Sequence, residues 1–290
     1  MENLRGAALM VFAMLGFAVE DMLIKFMAVA LPVGQIIGML GVGSAILAAG
    51  ILIMQGQPLF TRSMMTRAIL LRAIGELIGT IGFVTAIALT PLSSASAILQ
   101  ATPLFVTLGA ALFLQEAVGW RRWSAILVGF LGVLLIIRPG TESFSWLSLF
   151  ALQGVIGLGI RDLATRRVPK ETSTMQLSFL AFLVLIPAAA LLIWFNGTTL
   201  VPLSPSNWVY YTIALLIGMI AYYGIVAAMR IGEVSFVTPF RYSRIIFALI
   251  VGVFVFDENP DTMTLLGASV IVASGLYTLW RERNVRANSA

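Results

Sequence analysis

The sequence contains no cysteine and no histidine among its 290 residues. The chain therefore cannot form disulfides, metal sites with Cys or His ligands, or a nucleophile activated by histidine. Charge is also scarce, since Asp, Glu, Lys and Arg make up 11% of the residues while hydrophobic residues make up 60%. A water-soluble domain needs much more polar surface. The composition thus predicts a protein that lives in lipid, and we expect neither a metal nor a cofactor.

Basic residues outnumber acidic residues, 18 against 13. They fall in short clusters between apolar runs and do not follow one face of a predicted element, so nucleic acid is not an expected partner. The lipid bilayer is the partner that this composition predicts. The sequence is compatible with a monomer.

Ten apolar stretches are long enough to cross a bilayer as helices, which takes roughly 20 residues each. They cover residues 5–28, 33–54, 67–89, 93–115, 122–138, 145–164, 174–195, 208–229, 234–256 and 262–280. The first begins after Arg5 as a signal peptide would, but it is too long, contains Glu20 and Asp21, and has no small-residue cleavage site. We therefore expect a retained first helix and an all-α polytopic membrane protein with ten transmembrane helices.

Positive charge is distributed unequally between the two sides of the predicted membrane. If the N-terminus is cytoplasmic, the basic residues of the cytoplasmic segments are Arg5, Arg62, Arg67, Arg121, Arg122, Arg166, Arg167, Lys170, Arg230, Arg281, Arg283 and Arg286. The other side has little beyond Arg138. Because Lys and Arg accumulate on the cytoplasmic side, both termini are predicted to be cytoplasmic. The tryptophans at 120, 123, 146, 194, 208 and 280 lie near span ends, as an aromatic belt would.

The second five spans show traces of the first five. At an offset of 142 residues the aligned identities are Ala86 with Ala228, Ser93 with Ser235, Phe105 with Phe247 and Glu116 with Glu258. The loop between spans four and five carries Arg121 and Arg122, whereas its counterpart carries Asp257, Glu258 and Asp261. Opposite loop charges are expected if the second half is inverted, as an odd number of spans per half requires. We expect two inverted five-helix repeats, residues 1–138 and 139–290, around a central cavity.

Two longer motifs accompany these repeats. Residues 103–116 read PLFVTLGAALFLQE and precede Trp123, Gly129 and Gly132; residues 238–258 read TPFRYSRIIFALIVGVFVFDE and precede Gly267 and Gly275. With these segments the chain resembles the EamA family of the drug/metabolite transporter superfamily over essentially its whole length. The resemblance implies ten helices in two inverted repeats, alternating access, and the inner membrane of a bacterium. Members export amino acids and related metabolites or take up compounds such as S-adenosylmethionine or riboflavin, so the family motifs specify the scaffold better than the substrate.

Cationic residues occur inside two of the predicted spans. Arg72 and Glu76 are four residues apart in the third span and share one helix face, either as cavity charges or as a permanent structural ion pair. Arg244 lies about ten residues into the ninth span, roughly 15 Å along the helix. Its guanidinium suits a substrate carboxylate, and the alternative is a pair with Glu76 or Asp21. Arg241 either assists Arg244 or extends to the cytoplasmic interface.

Acidic residues occur in the first and sixth spans. Glu20 and Asp21 point about 100° apart on a helix, so we expect one to face the cavity and the other a helix contact. A cavity carboxylate there would hold an ammonium group or a proton. Lys25 follows Asp21 by four residues and is expected to neutralise it. Arg161 and Asp162, close to the end of the sixth span, are expected to extend to the interface.

Aromatic and polar residues on the same spans complete the predicted site. Aromatic residues at 17, 83, 222, 223 and 242 would form an apolar or cation-binding wall, unless they face lipid or pack. Gln100 and Thr102 either contact substrate or bond between helices. Prolines 103, 187 and 239 interrupt spans, and Pro103 and Pro239 are the predicted hinges of a gate. The pairs Gly34/Gly38 and Gly75/Gly79 predict close helix packing.

These observations predict a secondary transporter, not an enzyme, that exports a small zwitterionic or anionic metabolite such as an amino acid. The predicted substrate-binding residues are Arg244, Arg241, Arg72, Glu76, Glu20, Asp21, Gln100, Phe17, Phe83, Tyr222 and Tyr242. An uptake transporter for a cofactor-like metabolite is the nearest alternative. An intramembrane enzyme would need a Ser-Lys or paired-carboxylate mechanism, for which no clear motif is present. A channel is the third alternative, distinguished by transport that neither saturates nor exchanges.

Overall fold

The computed structural model describes residues 2–113, 119–169, 171–231 and 237–287, without the side chains of residues 226, 229, 230 and 282–287. Of the residues used above, Glu116 and Ser235 of the repeat comparison lie outside the described residues. Lys170 and the side chains of Arg230, Arg283 and Arg286 from the charge comparison do so as well.

All regular elements among the described residues are helices. The α-helices are α1 (Glu2–Ala28), α2 (Val33–Met54), α3 (Arg67–Leu89), α4 (Leu92–Leu99), α5 (Thr102–Phe113), α6 (Trp120–Ile137), α7 (Ser148–Thr165), α8 (Thr174–Asn196), α9 (Pro205–Ile231), α10 (Ser243–Phe256) and α11 (Thr262–Ala287). Two short 3₁₀ helices, Arg62–Met64 and Thr238–Tyr242, precede α3 and α10. The predicted class, an all-α polytopic membrane protein, is confirmed, and the predicted span boundaries are close to the observed ones.

Nine stretches of the described residues are long and apolar enough to cross a membrane, with α4 and α5 forming one span and Thr238–Phe256 another. The helix α7 is not among these nine stretches. It corresponds to the predicted sixth span, has 18 residues, and carries Arg161 and Asp162 within its last five. Such segments must be helical because lipid offers no hydrogen bonds to the backbone. Their ends follow local capping rules: the Thr66 side chain accepts from the Ile69 N–H at the start of α3.

Within the described residues, the fourth and ninth spans are interrupted. Residues 100–101 separate α4 from α5, and Pro103 follows in the first turn of α5, where its missing N–H costs little. In the described part of the ninth span, a 3₁₀ helix that contains Pro239 precedes α10. The expected interruption at Pro187 is wrong, since α8 continues through that proline. A hinge role for Pro103 and Pro239 stays a prediction.

The helix pairing pattern is unchanged when the two halves are exchanged. The most extensively packed pairs are α3 with α7, α1 with α9, α2 with α8 and α6 with α11. In span numbers these are 3–6, 1–8, 2–7 and 5–10. Exchanging the two halves turns span 1 into span 6 and span 8 into span 3, so the 1–8 pair becomes the 6–3 pair. The 2–7 and 5–10 pairs each map onto themselves. This symmetry is what a chain of two five-span repeats requires.

Glycines allow two of these pairs to approach closely. A Cβ on Gly79 would lie 2.7 Å from the backbone N of Leu158, and one on Gly157 would collide with the backbone of Gly79. A Cβ on Gly38 would lie 3.1 Å from the Ala189 Cβ. The close packing expected at the two glycine pairs is therefore confirmed.

Large apolar side chains cover the outside of the bundle, whereas ionisable side chains in the middle of the spans are turned inward. Phe12, Leu127 and Phe254 are exposed. Asp21 and Arg72 are 3% and 4% exposed. This inside-out arrangement is what lipid as solvent requires.

Candidate functional site

Three groups of charged side chains lie between the two repeats, and each joins several helices. We name them the central pair (Asp21 and Arg244), the arginine cluster (Arg72, Glu76, Arg161, Asp162 and Arg241) and the Glu258 latch (Lys25, Glu258 and the first turn of α4). We call the membrane face with Arg5, Arg62 and Arg121 the basic face. The Glu258 latch is on the opposite face.

The central pair is a two-pronged ion pair between α1 and α10. Arg244 donates from Nη2 to Asp21 Oδ2 at 2.7 Å and to Oδ1 at 3.0 Å, and from Nε to Oδ2 at 3.3 Å. Its guanidinium lies 5.1 Å from the ring centres of both Phe17 and Phe83. Of the two sequence alternatives for Arg244, the partner Asp21 is the one present. The two aromatic rings enclose a cation of the protein itself.

Glu20 lies beside this pair but makes a different set of contacts. Its carboxylate packs against Gly218 of α9, where an added Cβ would lie 2.5 Å from Oε1 and 3.0 Å from Oε2. Among the described residues the Glu20 carboxylate has no hydrogen bond and no ion pair. Of the two adjacent acids, Asp21 therefore forms an ion pair with another helix, and Glu20 packs against α9 without an ion pair among the described residues.

The arginine cluster connects α3, α7 and the 3₁₀ helix before α10. Arg161 donates from Nη1 to Glu76 Oε1 at 3.2 Å and pairs with Asp162 at 2.8 Å. Asp162 in turn lies 3.8 Å from Arg241 Nη2. The expectation that Arg161 and Asp162 extend to the interface is wrong, because their helix packs against α3 at the glycine contact. That contact brings both side chains against Glu76.

The Arg72 side chain forms hydrogen bonds with two other helices. Its Nη2 donates to the Tyr222 hydroxyl at 3.0 Å and its Nη1 donates to the Leu177 carbonyl at 3.2 Å, so it joins α3, α9 and α8. The expected pair with Glu76 is present only at 4.0 Å. Glu76 is thus neutralised more closely by Arg161 than by the residue one turn before it.

The remaining predicted residues differ in what their side chains contact. Gln100 donates to the Arg241 carbonyl at 3.3 Å, from the break between α4 and α5. Thr102 bonds within its own span, to the Leu99 carbonyl at 2.6 Å. The Tyr242 ring is buried directly against Gly275 of α11. Tyr223 is 67% exposed, so its expected place in the site wall is wrong.

Several buried polar atoms in this region lack a hydrogen-bond partner among the described residues. They are Arg72 Nε, Glu76 Oε2, Thr85 Oγ1, Ser96 Oγ and Tyr242 Oη. Leaving such an atom unpaired costs about 1–3 kcal/mol, more for charged groups. Each of these atoms could gain a hydrogen bond with a polar partner that the described residues do not supply.

The central pair and the arginine cluster, taken with Glu20, are balanced in formal charge. The cations are Arg72, Arg161, Arg241 and Arg244, and the acids are Glu20, Asp21, Glu76 and Asp162. Lys25 does not belong to this set. Its expected pair with Asp21 is wrong, since Lys25 lies 3.1 Å from Glu258 Oε1 and donates to the Thr90 carbonyl at 2.6 Å.

The Glu258 latch joins the loop after α10 to the start of α4. Glu258 accepts from the Leu92 N–H at 2.6 Å, from the Ser93 N–H at 3.0 Å and from Ser93 Oγ at 2.7 Å. Burial would raise the pKa of Glu258, but the hydrogen bonds from Ser93 and Leu92 and the charge of Lys25 outweigh burial and lower it. A carboxylate at a helix N-terminus also interacts favourably with the helix dipole.

Sequence reasoning missed Arg161, Asp162 and Glu258 as members of these groups. A signal for the first two was present, because Gly154 and Gly157 on α7 predict close packing of the face near them. Glu258 appeared only as a repeat identity and a loop charge, and its partners are 165 and 166 residues away in the chain.

Comparison with known proteins places the chain among membrane transporters. It matches the EamA-like transporter family over residues 4–138 and again over residues 145–280. One protein crystal structure has a TM-score of 0.59 to this chain at 18% identity, covering 97% of this chain and 98% of that chain. At this identity the similarity shows the fold alone.

Three curated bacterial proteins illustrate the range of named substrates. The S-adenosylmethionine uptake transporter of Rickettsia bellii is 27% identical and covers 74% of this chain and 72% of its own. The riboflavin transporter of Vibrio cholerae is 29% identical over 67% of both chains. The pseudopaline exporter of Pseudomonas aeruginosa is 28% identical over 93% of this chain and 94% of its own.

Proposed function

The chain belongs to the EamA-like transporter family, and from this premise we propose that it exports a small zwitterionic metabolite with an amino-acid group by alternating access. The observation that carries the proposal is the Asp21–Arg244 pair, whose guanidinium lies between two aromatic rings, beside Glu20, which has no ion pair among the described residues. An α-amino acid carries the same two charges as this pair, at similar spacing.

Exchange of partners explains why a zwitterion suits such a pair. Breaking a buried ion pair by removing one partner costs about 3–5 kcal/mol, because the other charge is left uncompensated. A substrate carboxylate on Arg244 and a substrate ammonium on Asp21 or Glu20 compensate both charges at once. A molecule with a single charge compensates only one of them.

The other predicted residues are assigned supporting parts. Arg241 and Arg72 attract the carboxylate, Glu76 offers a second acidic site, and Gln100 holds the backbone of Arg241. Phe17, Phe83 and Tyr222 enclose the substrate side chain, since aromatic faces accept both apolar groups and cations.

The basic face is assigned to the cytoplasm of a bacterium, with the inner membrane as location and both termini inside, because Lys and Arg mark that side. The Glu258 latch then closes the outer face. Opening requires the fourth and ninth spans to move apart, and their breaks at Pro103 and Pro239 supply flexible positions for that movement. One copy of the chain contains all of these parts.

Outward transport is favoured by one comparison. The Pseudomonas relative, which is named an exporter, matches 93% of this chain. The Rickettsia and Vibrio relatives, which are not named exporters, match 74% and 67%.

Counterflow in proteoliposomes tests the substrate. Vesicles loaded with one unlabelled amino acid should accumulate the labelled form from outside, and the uptake should saturate. Everted membrane vesicles then test the direction by net uptake from the cytoplasmic side. Failure with every amino acid would remove the substrate assignment, and net movement only toward the cytoplasmic side would remove the export assignment.

A second candidate is uptake of a cofactor-like metabolite such as S-adenosylmethionine or riboflavin. It is favoured by the names of the Rickettsia and Vibrio relatives. The same counterflow measurement with these two compounds decides between the candidates. Riboflavin has no charge pair to exchange with Asp21 and Arg244, so riboflavin transport would also overturn the partner-exchange mechanism.

A further inference from the structure

A groove outside the central region has features of a separate binding site. Its volume is about 310 Å³. The groove lies between α6 and α11 near the basic face. Its main lining residues are Trp120, Arg121, Ser124 and Val128 from α6 and Ser274 and Tyr277 from α11.

The shape of the groove follows from how the two helices pack. A Cβ on Gly132 would lie 2.8 Å from the Gly267 carbonyl oxygen, so the two backbones touch toward the face opposite the basic one. Toward the basic face, α6 carries Trp120 and α11 carries Tyr277, which are much larger than glycine. Trp120 and Val128 are 74% and 47% exposed, so the groove opens sideways to the lipid and not to the interior of the bundle.

Among the described lining residues, charge is present at one end of the groove only. The Arg121 guanidinium lies 5.4 Å from the centre of the Trp120 ring. The remaining lining side chains are apolar, aromatic or hydroxyl-bearing, and none is acidic. A cation at the membrane interface above an apolar channel matches the two parts of an anionic phospholipid.

We propose that the α6–α11 groove binds an anionic phospholipid, with its phosphate on Arg121 and an acyl chain along Val128 and Tyr277. Basic pockets between transmembrane helices bind such headgroups. A zwitterionic lipid such as phosphatidylcholine would bring a choline cation to the arginine together with its phosphate, and free phosphate would leave the apolar channel uncovered. The lipid bridges spans five and ten, which belong to different repeats. The site is independent of the transported substrate.

Native mass spectrometry of the detergent-purified protein tests the site. The probes are phosphatidylglycerol and phosphatidylcholine with identical acyl chains, and inorganic phosphate as a competitor. Phosphatidylglycerol should bind in preference to phosphatidylcholine, and phosphate should not displace it. Arg121→Gln should weaken phosphatidylglycerol binding by about fivefold, the effect of one basic residue at a membrane surface. Arg121→Lys should retain most of it.

Two further variants separate groove binding from general surface attraction. Val128→Trp fills the apolar channel and should lower phosphatidylglycerol binding while Arg121 is intact. Arg62→Gln removes an exposed arginine from the same face, in the 3₁₀ helix before α3, and should leave binding unchanged. Equal binding of both lipids, displacement by phosphate, or equal effects of Arg121→Gln and Arg62→Gln would each overturn the proposal.

Discussion

Glu258→Gln is the substitution that most directly tests whether the latch holds the outer face closed. Glutamine has nearly the same size but no charge. Its amide oxygen still accepts one hydrogen bond from the start of α4, whereas its NH₂ group faces N–H donors. Lys25, with 17% of its side chain exposed, also loses its charged partner.

The size of the effect follows from the contacts. Each hydrogen bond to a charged group contributes about 1.5–3 kcal/mol. Glu258 accepts three from Leu92 and Ser93, and its side chain is 10% exposed. Because glutamine keeps one bond and water replaces part of the rest, we expect a net loss of about 2–3 kcal/mol. Each 1.4 kcal/mol is a factor of ten, so the open population rises about 30- to 150-fold.

Thiol labelling measures this population without background, because the natural chain has no cysteine. Ser96→Cys is a suitable reporter, since Ser96 lies on α4, is 1% exposed and has no hydrogen-bond partner for its Oγ. A membrane-impermeant maleimide added to the outer face should label this position about 30- to 150-fold faster when Glu258→Gln is present.

Asp261→Asn is the matched control. Asp261 is on the same face and pairs with Arg138, but this contact joins α6 to α11 and leaves α4 untouched. The control should label at the unsubstituted rate. Unchanged labelling in Glu258→Gln, or equal acceleration in both variants, would refute the latch.

The pH dependence has a definite sign. The pKa of Glu258 is lower in the closed structure than its ordinary value, so the closed state favours the ionised form. The contribution of the latch is complete above the ordinary carboxyl pKa of about 4.3 and is lost as the pH falls through the lowered pKa. Labelling of Ser96→Cys should therefore be constant near neutral pH and rise only in acid.

Arg244→Ala should abolish counterflow while the protein still inserts, because it removes the proposed carboxylate site; retained substrate affinity in binding assays would contradict this. Gly218→Ala places a methyl group against the Glu20 carboxylate and should lower transport, with Glu20→Gln adding little to the double variant if both act through the same group. Gly157→Leu should destabilise the fold by about 1–3 kcal/mol or more through overpacking, whereas Gly50→Leu, with open space around it, should leave the melting temperature unchanged. Equal melting temperatures for these two variants would contradict the packing.

Much of the fold was predictable because lipid imposes simple local rules. Spans such as residues 33–54 and 67–89 were predicted with the observed boundaries, since each is a continuous apolar run that must satisfy its own backbone. Breaks near Pro103 and Pro239 were also predictable from the missing donor and the ring of proline. Pro187 shows the limit of that rule, because the surrounding bundle keeps α8 continuous.

The candidate site was predictable in composition but not in pairing. The sequence places Asp21, Arg72 and Glu76 in spans, where burial inside the protein is the only stable outcome. Partners four residues apart were the natural assumption, and it was wrong for Lys25 with Asp21. The ion-pair partner of a buried charge depends on which faces of different helices pack together. Helical periodicity within one span does not show which faces these are.

The sequence by itself predicted that this chain crosses a membrane, with ten spans, and that its halves are inverted repeats, because hydropathy and loop charge are properties of local segments. Only the tertiary structure decided that Arg244 meets Asp21, that Arg161 meets Glu76 and that Glu258 caps α4. These contacts join residues 223, 85 and 166 positions apart. Their geometry depends on helix crossings at glycines such as Gly79 and Gly157, where the absence of a side chain sets the distance between the helices.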